Sequence, residues 1–327
     1  MKRHFAKSIF SFFLSVSIIL TLFACTKNAP VTENKNLIKI GIINNDPNES
    51  GYRVANDTDM RKVFTKENGY DASFSYNLNN AKQIEYAKKY INDGVKYLLI
   101  SAADTEGWEE TLTLAKNAGV KVILFDRKIN VSEDLYEASI ISDMDEEGRA
   151  ASEWLKKQNL DEYKIIHIQG VMGTAAQRGR SNALSDYAAA NDWKIVKKAS
   201  CEWQADKAEA LVTGVINSGE TFNVIYAEND DMAKGAVAAL DAAHITHGVD
   251  KSVIIIGFDC NRWALEELLA QEWNYDGQCN PFQAGTVDEV IRKLENNETL
   301  PSKTIILEEK GFDATTITPE DIENYGI

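Results

Sequence analysis

Histidine and cysteine are both scarce in this chain, at four each in 327 residues. A hydrolase that works through a nucleophile needs a base within reach. Beyond His4 the chain offers only His167, inside an apolar run, and His244 and His247, in a helix-to-strand loop. No Gly-x-Ser-x-Gly elbow is present. The cysteines, Cys25, Cys201, Cys260 and Cys279, include no CxxC pair, which argues against a zinc site of the usual spacing. Positive charge is short as well, since 35 Lys and Arg face 50 Asp and Glu, for a formal charge of −15. Such a surface repels nucleic acid, whose affinity for proteins comes mainly from phosphate neutralisation, and it tells against a polyanionic ligand. The Gly170-x-x-Gly173 pair lacks the lysine of a P-loop and the leading Gly-x-Gly of a dinucleotide fingerprint. Paired carboxylates of a glycosidase are not testable by spacing in so acidic a chain. No enzyme, cofactor or metal is expected.

The first residues read as an export signal: Lys2, Arg3 and Lys7 precede an apolar run over 9–23. That run is shorter than the about 20 residues of a stable membrane span. It ends in Leu22-Phe23-Ala24-Cys25, which resembles the bacterial lipobox, with the Cys25 thiol as acceptor of a diacylglyceryl group; an uncleaved anchor helix is the alternative. Residues 1–24 are thus expected to be a signal peptide and 25–36 a polar, lipidated tether. Removing 1–24 takes away Lys2, Arg3 and Lys7 and moves the formal charge from −15 to −18. The expected location is extracytoplasmic, at the membrane, either in a periplasm or on the outer face of a plasma membrane. The three remaining cysteines permit at most one disulfide, Cys260 with Cys279 if any, and buried free thiols are the expectation.

From residue 37 onward, short runs rich in β-branched residues (38–43, 97–100, 120–125, 163–168, 222–227 and 253–258) alternate with amphipathic stretches such as 81–93, 108–118, 146–157 and 231–243. This alternation implies an α/β fold with parallel sheets flanked by helices. The length calls for two Rossmann-like lobes. In open parallel sheets ligands bind beyond the carboxyl ends of the strands. The polar clusters fall there: Asn44 to Arg53, Asp126-Arg127, Gln169-Gly170, Glu228 to Asp231, and Asp259. A neutral sugar has hydroxyls that donate and accept and a C–H face that is apolar. It therefore calls for carboxylates, amides, guanidinium forks and aromatic planes. Asp126 and Arg127 supply a carboxylate beside a fork, Asn229 an amide, and Tyr52, Trp203 and Trp108 candidate planes. Asp230 or Asp231 is expected to cap the following helix, leaving Asn229 for a ligand. Trp154, Trp193 and Trp263 read as packing residues.

These blocks, together with Glu49-Ser50-Gly51-Tyr52-Arg53, Gly107-Trp108-Glu109, Gln169 to Gly173, Tyr226 to Met232 and Cys279-Asn280-Pro281, carry a resemblance over essentially the whole mature chain. It resembles the type I periplasmic sugar-binding proteins, and among them most the galactofuranose-binding components of bacterial ABC transporters. The resemblance implies the type I periplasmic-binding-protein architecture. Its N-terminal lobe would be 37–142 plus 280–304, its C-terminal lobe 143–279 plus 305–327, with crossovers near Asp143, Cys279 and Ile305. It implies sugar contacts from Glu49, Tyr52, Arg53, Asp126 and Arg127 in one lobe and from Arg180, Trp203, Asn229 and Asp259 in the other. Arg180 is placed by its spacing from Gly173, with Arg178 the alternative. The chain departs from the pattern at Ala183-Leu184, where relatives usually show Gly-Phe, and at Met144, where many have asparagine. The implied partners are a small monosaccharide and an ABC permease with its ATPase. A monomer held to the membrane by its lipid is expected. The lipobox stands where a related repressor would carry its helix-turn-helix, which excludes DNA binding. A receptor for a sensor kinase or chemoreceptor is the other role open to the same fold, and ribose, arabinofuranose or another aldose would satisfy the same polar set.

Overall fold

The structure, a computed structural model, describes residues 37–327; the expected signal peptide, Cys25 and the tether lie outside the described residues. The chain order is β1 (Ile38–Asn44), α1 (Gly51–Val63), β2 (Tyr70–Tyr76), α2 (Asn80–Asn92), β3 (Tyr97–Ile100), α3 (Glu109–Asn117), β4 (Lys121–Asp126), β5 (Ala138–Ile141) and α4 (Met144–Lys157). It continues with β6 (Lys164–Gln169), α5 (Ala175–Ala190), β7 (Lys194–Ser200), α6 (Ala205–Ser218), β8 (Val224–Ala227), α7 (Asp230–Ala242), β9 (Ile254–Phe258) and α8 (Arg262–Leu269). Last come β10 (Tyr275–Gly277), α9 (Ala284–Glu295), β11 (Thr304–Ile306), β12 (Gly311–Asp313) and α10 (Pro319–Tyr325).

Two six-stranded sheets result, ordered β11-β5-β4-β3-β1-β2 and β12-β10-β9-β8-β6-β7. All pairings are parallel except β10 with β12. The inner strands of each sheet are buried on both faces because they are apolar at successive positions. In β4, Ile123 and Phe125 enter the core under α1 and α9, whereas Val122 and Leu124 enter the one under α2 and α3. In β8, Ile225 and Ala227 pack toward α6 and α7, and Val224 and Tyr226 toward α4 and α5.

The third crossover differs from the sequence reading. β11 pairs with β5 in the first sheet, with Ile305 opposite Ile140, and the chain passes to the second sheet only between Leu307 and Lys310. The cause is that Thr304, Ile305 and Ile306 continue the first sheet beside β5, leaving residues 307–310 as the crossing. The carboxylate of Glu309 ties the three crossings together: its Oε1 accepts from Ser142 Oγ at 2.6 Å and from the Asn280 amide at 2.5 Å.

The helices that follow β1, β5, β6 and β8 begin at strand carboxyl ends. Their first turns are capped by Ser50, Asp143, Thr174 and Asn229, whose side chains accept from Arg53, Glu146, Gln177 and Met232 amides. Local sequence thus aims four helix N-termini toward the space between the sheets.

Candidate functional site

All nine residues to which the resemblance assigns sugar contacts line one cavity between the lobes: Glu49, Tyr52, Arg53, Asp126 and Arg127 from the first, Arg180, Trp203, Asn229 and Asp259 from the second. The space among them, open solvent at its mouth included, is about 320 Å³, and Ser50, Met144, Ala176 and Cys279 complete its lining.

Asp126 organises the first wall. Its carboxylate takes Arg53 Nη2 at 2.8 Å, the Tyr52 hydroxyl at 2.9 Å and the Ser101 hydroxyl at 2.6 Å. Burial pushes this carboxyl up, but Arg53, Arg127 and the hydrogen bonds outweigh it and hold it below the ordinary value, so it is ionised. Glu49 bridges the two forks, 3.5 Å from Arg53 Nε and 3.6 Å from Arg127 Nη2. Behind them Asn44 accepts from Arg53 Nη1 at 2.9 Å and Gln283 donates to the Tyr52 oxygen at 3.3 Å. Burial raises the Tyr52 phenol, with Asp126 adding to the effect, and keeps it a donor.

Arg180 organises the second wall. Its Nε and Nη2 meet Glu147 at 2.7 and 2.6 Å, Nη2 lies 3.3 Å from Asp259, and Nη1 donates to the Glu228 carbonyl. The guanidinium also lies over the Phe258 ring, 4.7 Å from its centroid. Asp259 is pushed up to about 7 by burial, against the pull of Arg180. The alternative Arg178 is half exposed and reaches only Glu106, at 3.9 Å.

Two donors in this wall have no partner among the described residues. Asn229 spends Oδ1 on the α7 cap, accepting from Met232 N at 3.0 Å, and leaves Nδ2 unpaired. Trp203 leaves Nε1 unpaired, with the residue 4 % exposed. Its ring fits only because residue 170 is glycine, since a Cβ there would overlap the indole. Asp126, Trp203 and Asp259 all have positive φ, at 66°, 67° and 107°, a conformation costly for non-glycine residues and concentrated at binding sites.

Neither Asp230 nor Asp231 caps α7, contrary to the expectation from sequence. Asn229 itself is the cap, whereas Asp230 accepts from the Asn261 amide at 2.8 Å and Asp231 from the Gly51 amide at 3.2 Å. Trp108 is no binding plane: it is wholly buried in the first lobe, donating to the Asp104 carbonyl at 3.1 Å. Trp154, Trp193 and Trp263 pack on Tyr275, Tyr163 and Trp273. Cys201, Cys260 and Cys279 are free and buried. Glu147, Ser101 and Gln283 were missed from sequence. Glu147 reads there as one of three acids in an ordinary first turn, and only its approach to Arg180 reveals it.

A serine and a histidine do meet, at Ser181 and His167, but they make no relay. His167 Nε2 faces both the Ser181 hydroxyl and Glu228 Oε1, at 3.4 and 2.8 Å, while Nδ1 has no partner among the described residues. Among the described residues, Glu147, Cys279 and Glu309 are the trio close enough to share a metal. Glu147 Oε2 is held by Arg180, Glu309 Oε1 by the chain crossings, and Cys279 Sγ lies 3.6 Å from Ser142 Oγ.

Two sheets of this topology, a cavity between their strand ends and matched carboxylates and forks define a two-lobed binding protein. Residues 40–289 match the model of the periplasmic binding protein domain, and the chain belongs to that family. It is 27 % identical over 311 residues to the fructose import binding protein FruE of Bifidobacterium longum, covering 92 % of this chain and 93 % of that one. It is 26 % identical over 265 residues to the galactofuranose-binding protein YtfQ of Escherichia coli, covering 78 % and 81 %. A Mycobacterium smegmatis structure in complex with β-D-fucofuranose superposes with a TM-score of 0.79 at 26 % identity, covering 85 % and 92 %. FruE and YtfQ are both named as binding proteins.

Proposed function

We propose that the chain is a lipid-anchored extracytoplasmic solute-binding protein that captures one small neutral sugar, a galactofuranose-like furanose in particular, and delivers it to an ABC importer. The observation that carries the reading is the pairing of two unpartnered buried donors, Asn229 Nδ2 and Trp203 Nε1, with carboxylate acceptors across one cavity. A sugar hydroxyl donates and accepts at once, so it completes both walls. Every cavity arginine already faces a carboxylate: Arg53 and Arg127 face Asp126 and Glu49, and Arg180 faces Asp259. This balance favours an uncharged ligand, and the compact space favours a monosaccharide. The furanose preference rests on the similarity to galactofuranose- and fucofuranose-binding proteins.

In the mechanism, the sugar first meets the rigid Asp126 network, and closure then brings the Arg180, Trp203 and Asn229 wall onto it. Contacts made only on closure shift the open and closed populations. Cys25 would carry the lipid, and the protein would act as a monomer. A thermal-shift screen of the full chain with D-galactose, L-arabinose, D-fructose and D-ribose tests this. A rise with at least one sugar is expected, and no rise with any of them overturns the reading.

A further inference from the structure

Gly51 lies in the Glu49 to Arg53 block but does not line the cavity. It opens α1 in the first lobe, and its amide is one of the N–H groups that a helix leaves without an internal partner. That amide donates to Asp231 Oδ2 in the first turn of α7, in the second lobe, at 3.2 Å. The Asp231 carboxylate therefore sits between two helix N-termini, where negative charge is favoured. The approach is close: a Cβ on Gly51 would overlap the Asn261 carboxamide oxygen and lie 2.9 Å from its Cγ. Asn261 cannot give way freely, because its amide and Nδ2 both donate to buried Asp230, at 2.8 and 3.1 Å.

We infer that Gly51 and Asp231 form a latch across the cleft that holds the lobes closed without touching the ligand, glycine being required at 51 because only a residue lacking Cβ lets α1 seat against Asn261. This rests on the proposed sugar-binding reading. The latch residues are positioning residues: they act on the closed state as a whole, so their loss raises dissociation while the sugar contacts stay intact.

The test compares the full chain with Gly51→Ala, Asp231→Ala and Gly51→Ala/Asn261→Ala. Calorimetry uses whichever of the four screened sugars binds the parent, and hydrogen exchange follows the peptide spanning residues 50–54. Gly51→Ala is expected to weaken binding at least tenfold at an unchanged melting temperature, Asp231→Ala several-fold, and the double variant to recover most of the loss because the obstructing oxygen is gone. Parental affinity in Gly51→Ala, or no recovery in the double variant, overturns the latch. If no sugar binds the parent, the sugar reading fails by itself. The latch is then judged on the sugar-free protein: faster exchange of the Gly51 amide in Asp231→Ala supports it, and equal exchange overturns it.

Discussion

Arg53 Nη2 lies 2.8 Å from Asp126 Oδ2, and both side chains are buried at the carboxyl end of the first sheet. Breaking one side of such a pair strands a charge, which costs roughly 3–5 kcal/mol. Asp126→Ala is therefore expected to lower both stability and sugar affinity. Arg127→Ala, which touches Asp126 and Glu49 only at 3.6 Å, should mainly lower affinity, by about 1.5–3 kcal/mol through lost charged hydrogen bonds. Calorimetry and thermal melting of both variants check this, and unchanged affinity in both contradicts the site.

Asn229 divides its amide between cap and cavity, so the two roles separate by substitution. Asn229→Asp keeps a good cap but removes this side chain's donor to the cavity. It should melt close to the parent and bind sugar at least tenfold more weakly. Asn229→Ala should in addition lose about 0.5–2 kcal/mol of stability with the cap.

Asp259 gives a pH signature. Its folded-state value, about 7, lies above that of a free carboxylate near 4. The native state thus holds the proton more tightly than the unfolded chain. The stabilisation is fully present below about pH 4 and is lost as pH rises through about 7. Buried Asp276, pushed up to about 8, shifts in the same direction. The melting temperature of the parent is expected to fall more steeply between pH 5 and 8 than that of Asp259→Asn; parallel slopes contradict the assignment.

Gly170 makes room for the Trp203 indole. Gly170→Ala should displace the ring, costing about 1–3 kcal/mol of stability by overpacking and weakening sugar binding. Gly214→Ala, on the helix α6 where a Cβ meets nothing within 4 Å, is the control expected to do neither.

Much of this was legible in the sequence because a parallel strand buried on both faces is an unbroken apolar run, and the residue just past it is pinned to the sheet's carboxyl edge. Asp126, Asn229 and Asp259 could be placed by that rule alone. The edge strands β2 and β7 were not among the apolar runs, since Tyr70–Tyr76 and Lys194–Ser200 are partly exposed along most of their length and mix polar with apolar residues. β11 is only three residues long, and its partner β5 is distant in sequence, so nothing local fixed where the chain crosses. Glu147 and Gln283 serve the site through contacts that form only after folding. Spacing carries no trace of them.

Calorimetric titration of the full chain decides whether the cavity between the lobes binds one small neutral sugar. The expected result is one site per chain for at least one of D-galactose, L-arabinose, D-fructose and D-ribose, with the heat abolished in Arg127→Ala/Asn229→Asp. An absence of heat with all four, or titration unaltered by that double variant, would contradict it.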